Sequence, residues 1–182
     1  MSKMKGSVGL IGMAAGVAGL LLATAPAGEA ATAKSAADPK ACVVLVGKTP
    51  AEGGASPELY RYCSDKSAAD ARAHLASSQV LAKTGGKSAQ ATLLMLWSKN
   101  TDYRNPTTFI YGDDGPCDSS GYSLHPDDYW SHNISSAQGV GTCTVARFHN
   151  RSSTYAATFR LPVPYLGASL NDNVGLIQVW RG

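Results

Sequence analysis

A mainly β fold, a β-sandwich with an N-terminal hairpin-plus-helix extension, is predicted by three observations. Residues 91–182 hold six short strand-like runs and almost no helical periodicity. The runs are separated by clusters of Asn, Asp, Gly, Ser and Pro, which break strands and form turns. The chain has four cysteines, an even number suited to two disulfides, among 182 residues of which only 16% are charged.

The first 33 residues read as a secretory signal peptide. Lys3 and Lys5 form a basic start, Val8 to Leu22 is apolar and rich in Gly and Ala, and Ala31-Thr-Ala33 is a small-x-small cleavage pattern before Lys34. The apolar run is shorter than the roughly 20 residues a spanning helix needs. The expected location is therefore extracellular. Export favours disulfides, and no C-x-x-C pair supports zinc. Proximity in sequence suggests Cys42 with Cys63 and Cys117 with Cys143, one of three connectivities.

Residues 34–90 hold eight basic and five acidic residues; residues 91–182 hold six and seven. In the first part, Cys42–Val46 is a compact β-branched run and Glu58–Cys63 alternates, with Pro50, Gly53, Gly54 and Pro57 between them. The sequence predicts a disulfide-closed hairpin. Ser67 with Asp70 resembles a capping box opening a helix over 68–83, which stops at Thr84-Gly85-Gly86. Its thin apolar face, Leu75 and a few alanines, needs support from the rest of the protein or from a partner. In the second part the expected strands are 91–97, 107–111, 134–140, 142–148, 155–161 and 174–180.

An internal repeat orders these strands. A shift of 50 aligns Asn100, Thr108 and Phe109 with Asn150, Thr158 and Phe159. A shift of 40 aligns Asn133, Ile134 and Gln138 with Asn173, Val174 and Gln178. The copies would be 91–140 and 141–182, the first carrying an insertion near 112–121.

Two such motifs, each ending in a turn and strand (Trp130–Ser136 and Leu170–Leu176), resemble the βγ-crystallin family. The resemblance implies a double Greek key and covers about 90 residues. Small secreted bacterial proteins of that type include killer-toxin-like proteins and metalloprotease inhibitors. The first hairpins depart from the family pattern: Tyr103–Phe109 and Phe148–Tyr155 are spaced more widely, and Ala157 replaces a glycine. The resemblance also implies calcium, held by two Asn/Asp residues and a later Ser/Thr pair. Ser131–Ser136 keeps the hydroxyls and Asn171–Leu176 keeps the acids. Asp172 with Ser135 would complete one site; otherwise both are turns that simply start a strand.

Catalytic signatures are missing, so a non-enzymatic protein is expected. There is no G-x-S-x-G, H-E-x-x-H or G-x-G-x-x-G, and Gly85-Gly-Lys-Ser88 lacks the first glycine of a phosphate loop, with Leu81 in its place. A net charge of +3 without a Lys/Arg run argues against nucleic acid. Binding candidates are Asp113, Asp114 and Asp118 in the acidic insertion, and Tyr122, Tyr129 and Trp130 among polar loop residues. The proline-stiffened Pro162-Val163-Pro164 is another, since preorganisation lowers the entropy lost on binding. The Asp cluster also includes Asp127 and Asp128, beside His125 and His132, and reads as a metal- or cation-binding patch or a recognition loop; a solvated loop is the plainer reading. The expectation is a secreted protein-binding module, a toxin-like effector or adaptor of an exported antagonistic assembly. A protease inhibitor is the alternative.

Overall fold

The computed structural model describes residues 41–182, so the signal-peptide expectation lies outside the described residues. The strands are β1 (Ala41–Val46), β2 (Glu58–Ser64), β3 (Thr92–Ser98), β4 (Thr107–Gly112), β5 (Tyr122–Leu124), β6 (Ser136–Gly139), β7 (Val145–Asn150), β8 (Ala156–Arg160) and β9 (Val174–Trp180). The helices are α1 (Ala68–Leu75), α2 (Ser78–Lys83) and α3 (Asp128–Ser131), with a 3-10 turn at Lys87–Gln90.

One sheet runs β2-β1-β4-β3-β6 and the other β5-β9-β7-β8. The two repeats exchange a strand. β5 of the first copy pairs with β9 of the second, and Val163 of the second pairs with Ala137 on β6 of the first. This is a double Greek-key sandwich whose two motifs cannot separate without breaking both exchanges. The paired positions Thr108/Thr158, Phe109/Phe159 and Ile134/Val174 fall on or beside equivalent strands of the two motifs.

β1 is buried along its whole length, as expected of a near-continuous apolar strand covered on both faces. Its inner side chains Cys42, Val44 and Val46 join the sandwich core with Trp97, Ile110, Phe148 and Ile177. Its outer side chains Ala41, Val43 and Leu45 form a second core with Ala71, Leu75 and Val80 of the helices. The thin helical face therefore finds its apolar partner inside the chain. β1 lies parallel to β4 and carries β2 antiparallel beside it, so the extension widens the first sheet.

The single helix expected over 68–83 is two. Ser67 caps α1 by accepting from the Asp70 amide at 3.1 Å, but Ser77 captures the Val80 amide at 3.4 Å and starts a new helix after Ala76. Serine side chains compete with helical hydrogen bonding in this way. Gly85 and Gly86, both left-handed, end α2 in a Schellman motif: Gly86 N donates to Leu81 O at 2.8 Å and Gly85 N to Ala82 O. Disulfides join Cys42 to Cys63 and Cys117 to Cys143. Closing separations of 21 and 26 residues, each restricts the unfolded chain by about 3 kcal/mol.

Candidate functional site

The acidic cluster is an internal fastener for the basic extension. Lys87 pairs with Asp113 at 2.5 Å, Lys48 with Asp118 at 2.9 Å and Arg61 with Asp127 at 2.7 Å. The charge asymmetry between the two parts of the sequence is thus partly neutralised within the molecule. Asp118 also accepts from the Ser120 and Gly121 amides, at 2.9 and 2.8 Å. The hydrogen bond from Lys48, followed by that from Gly121, holds its carboxyl down to about 2. Asp127 caps α3 by accepting from the Trp130 amide at 2.8 Å. Asp128 stands 3.7 Å from His132, and Asp114 is exposed. Of the acidic binding candidates, Asp113 and Asp118 are therefore committed to internal pairs.

Two aromatic candidates are core residues. Tyr122 is buried, its hydroxyl donating to Gly115 O at 2.8 Å, and burial pushes its pKa up to about 12. Its strand, β5, is the exchanged strand, so its side chain enters the opposite sheet's core. Trp130 is fully buried on α3 at the corner of the sandwich, with the ring of half-buried Tyr129 packed edge-on against it at 5.3 Å. Polar neighbours in sequence concealed both, because a three-residue strand and a four-residue helix leave no readable period.

The segment 161–166 is held at five backbone hydrogen bonds. Leu161 N donates to Thr144 O at 2.9 Å, and Val163 exchanges two bonds with Ala137. Asp102 N donates to Pro164 O and Leu166 N to Ser135 O, each at 3.0 Å. Val163 points into the core, which corrects its place among the surface candidates. Pro162 and Pro164 are exposed, and beside them stands Tyr165, which the sequence reading did not single out. The prolines lie at the sheet edge, where a missing amide donor costs no ladder bond.

Ser135 and Asp172 are brought together as the resemblance implied. Ser135 Oγ donates to Asp172 Oδ1 at 3.4 Å, and Asn171 Nδ2 donates to Asp172 Oδ2 at 2.7 Å. No three His, Cys, Asp or Glu side chains converge among the described residues.

A further concavity escaped the sequence reading. It lies on the outer face of the second sheet, has a volume of 340 Å³, and is lined by Thr49, Ser119, Ser120, Arg147, Gln178 and Trp180 among others. The available signal was the alternation of apolar and polar residues along Ala146-Arg-Phe-His149. Asn133-Ile-Ser135 and Asn150-Arg-Ser152 match the N-glycosylation pattern, but both asparagines are engaged: Asn150 is buried and accepts from the Thr154 and Tyr155 amides, and Asn133 donates to Tyr129 O.

No family model matches the sequence, and no curated protein matches it. Among solved structures, the chain is similar to a double mutant of a βγ-crystallin domain from Clostridium beijerinckii. The match has 10% identity and a TM-score of 0.37, and covers 50% of this chain and 100% of that domain. The fold described above rests on the exchanged strands rather than on that likeness.

Proposed function

We propose that the chain is an exported, non-enzymatic binding module that grips another exported protein through the ridge Pro162, Pro164 and Tyr165. The supporting observation is the five-point backbone anchorage of residues 161–166, which leaves these three side chains exposed on a segment already fixed in one conformation. Binding to such a ridge loses little chain entropy, and a tyrosine supplies large contact area with few rotatable bonds. Two disulfides suit an oxidising compartment, and none of the described helices is long and apolar enough to cross a membrane. The module serves as a toxin-like effector or as the adaptor of an exported antagonistic assembly.

The test is affinity purification from culture fluid of the native chain and of Tyr165→Ala, followed by mass spectrometry. A stoichiometric non-protease partner that is lost in the variant supports the module reading. A protease lost in the variant would transfer the same ridge to the inhibitor reading. Recovery of one partner by both proteins in equal amount would remove the ridge from function.

A further inference from the structure

We propose that the concavity on the second sheet is a binding groove for an acidic saccharide. Its floor is a cross-strand row: Ser123 pairs with Gln178, and Gln178 with Arg147. Their neighbours Ala146, Phe148, Ile177 and Val179 are buried in the core, so the alternation of a strand turns Arg147 and Gln178 outward. One wall is the loop between β1 and β2, held over the β5 edge by Ser56, whose amide donates to Ser123 O at 2.7 Å. Another wall is the turn clasped by Asp118, which carries Ser119 and Ser120.

The charge in this groove is uncompensated. Arg147 is exposed and makes no hydrogen bond or ion pair with any described residue. Asp118, the acid at the rim, is already matched by Lys48. Residues 141–182 hold Arg147, Arg151, Arg160 and Arg181 against the single acid Asp172. A guanidinium fork unpaired in a polar hollow favours a carboxylate or phosphate oxygen pair.

The remaining lining decides what carries that anion. Ser119 and Ser120 offer hydroxyls and Gln178 its carboxamide nitrogen, its oxygen meeting His149 Nε2 at 3.4 Å, while the Thr49 hydroxyl is turned to Ser56 and Gly121 O; Trp180 is half-buried, whereas Trp97 and Trp130 are buried. A sugar presents hydroxyls to such groups and an apolar ring face to an indole. A single-stranded nucleic acid needs a track of cations with stacking aromatics, and a single arginine in the groove does not make one. An acidic peptide would bring side chains for which this polar groove has no apolar pocket. The groove shares no residue with the Pro162–Tyr165 ridge, so the two proposals fail separately.

The test is a titration of the full chain followed by amide and indole NMR shifts, with trigalacturonate and glucose 6-phosphate as anionic probes. Maltotriose, hexaglutamate and an oligothymidylate serve as comparisons. The expected result is a saturable shift at Ser119, Ser120, Gln178 and the Trp180 indole with an anionic sugar. Arg147→Gln should weaken it about tenfold or more while the rest of the spectrum stays in place. Whichever of uronate and phosphate binds more tightly identifies the acid group. Absence of a saturable shift at millimolar probe overturns the proposal. So does equal binding of maltotriose, hexaglutamate or oligothymidylate, or an Arg147→Gln variant that binds as the native chain does.

Discussion

Ala137 and Val163 exchange both backbone hydrogen bonds, Ala137 N to Val163 O at 3.1 Å and Val163 N to Ala137 O at 2.8 Å, across the boundary between the two Greek keys. The pairing seats the proline-stiffened segment on the sheet of the opposite motif and drives the Val163 side chain into the shared core. Stability and recognition are thereby separated along adjacent residues. Val163→Ala is expected to cost about 1–3 kcal/mol in urea unfolding, because two buried methyl groups and a cavity are at stake. Tyr165→Ala, at a position 46% exposed, should stay within about 0.5 kcal/mol of the native chain. Equal effects would mean that the segment is not seated as described.

Trp130 provides a sharper test of core against surface. Its ring is fully buried and packs beside Tyr129 at the corner where α3 leads into β6. Trp130→Ala is therefore expected to destabilise by about 3–5 kcal/mol, the range for a buried aromatic. Chemical unfolding followed by circular dichroism measures it. A variant of native stability with impaired partner binding would return Trp130 to the recognition surface.

These two residues also show where the sequence was legible. The expected strand 174–180 matches β9, and the continuous Cys42–Val46 run forms most of β1, because long apolar or alternating segments carry their own period. Tyr122 and Trp130 read as surface candidates although they are core, since their burial depends on strand exchange and on a single helical turn between polar loops. The disulfide partners were near in sequence and also proved near in space. The acidic cluster of Asp113, Asp118 and Asp127 reads in sequence as an outward surface because the basic residues that meet it, Lys87, Lys48 and Arg61, lie between 26 and 70 positions away. Arg147 and Gln178 come together only through the register of β7 on β9, which no local pattern encodes.

The Lys48–Asp118 contact gives the fold an acid-labile fastener. The Asp118 carboxyl is held below its ordinary 3.8 at about 2. A depressed carboxyl contributes stability that is present above the unfolded value and lost as pH falls through the folded one. The thermal midpoint of the native chain should therefore exceed that of Asp118→Asn at pH 7, and the gap should close between about pH 4 and pH 2. The asparagine keeps an oxygen for the Ser120 and Gly121 amides, so the comparison isolates the charge. A gap unchanged at pH 2 would assign the effect to lost hydrogen bonding instead.

Calcium affinity should be weak, and the reason is visible at Gly175. In the second motif this glycine stands where the first has Ser135, and a Cβ there would lie 2.8 Å from the Arg151 Cα and 3.1 Å from the Asn150 O. Backbone packing between β9 and the end of β7 thus forbids the hydroxyl that a second composite site would need. The first site is left with Ser135 and Asp172, and both Asp172 oxygens already accept hydrogen bonds from Ser135 and Asn171. Calcium takes six to eight oxygens, so a lone carboxylate and hydroxyl predict millimolar binding at best. At a concentration equal to its dissociation constant the ion would stabilise by only about 0.4 kcal/mol. Calorimetric unfolding with millimolar calcium and then with a chelator should show nearly coincident transitions, and Asp172→Asn should abolish any residual difference. A rise of several degrees, reversed by the chelator, would instead require backbone carbonyls and waters to complete the shell around Asp172.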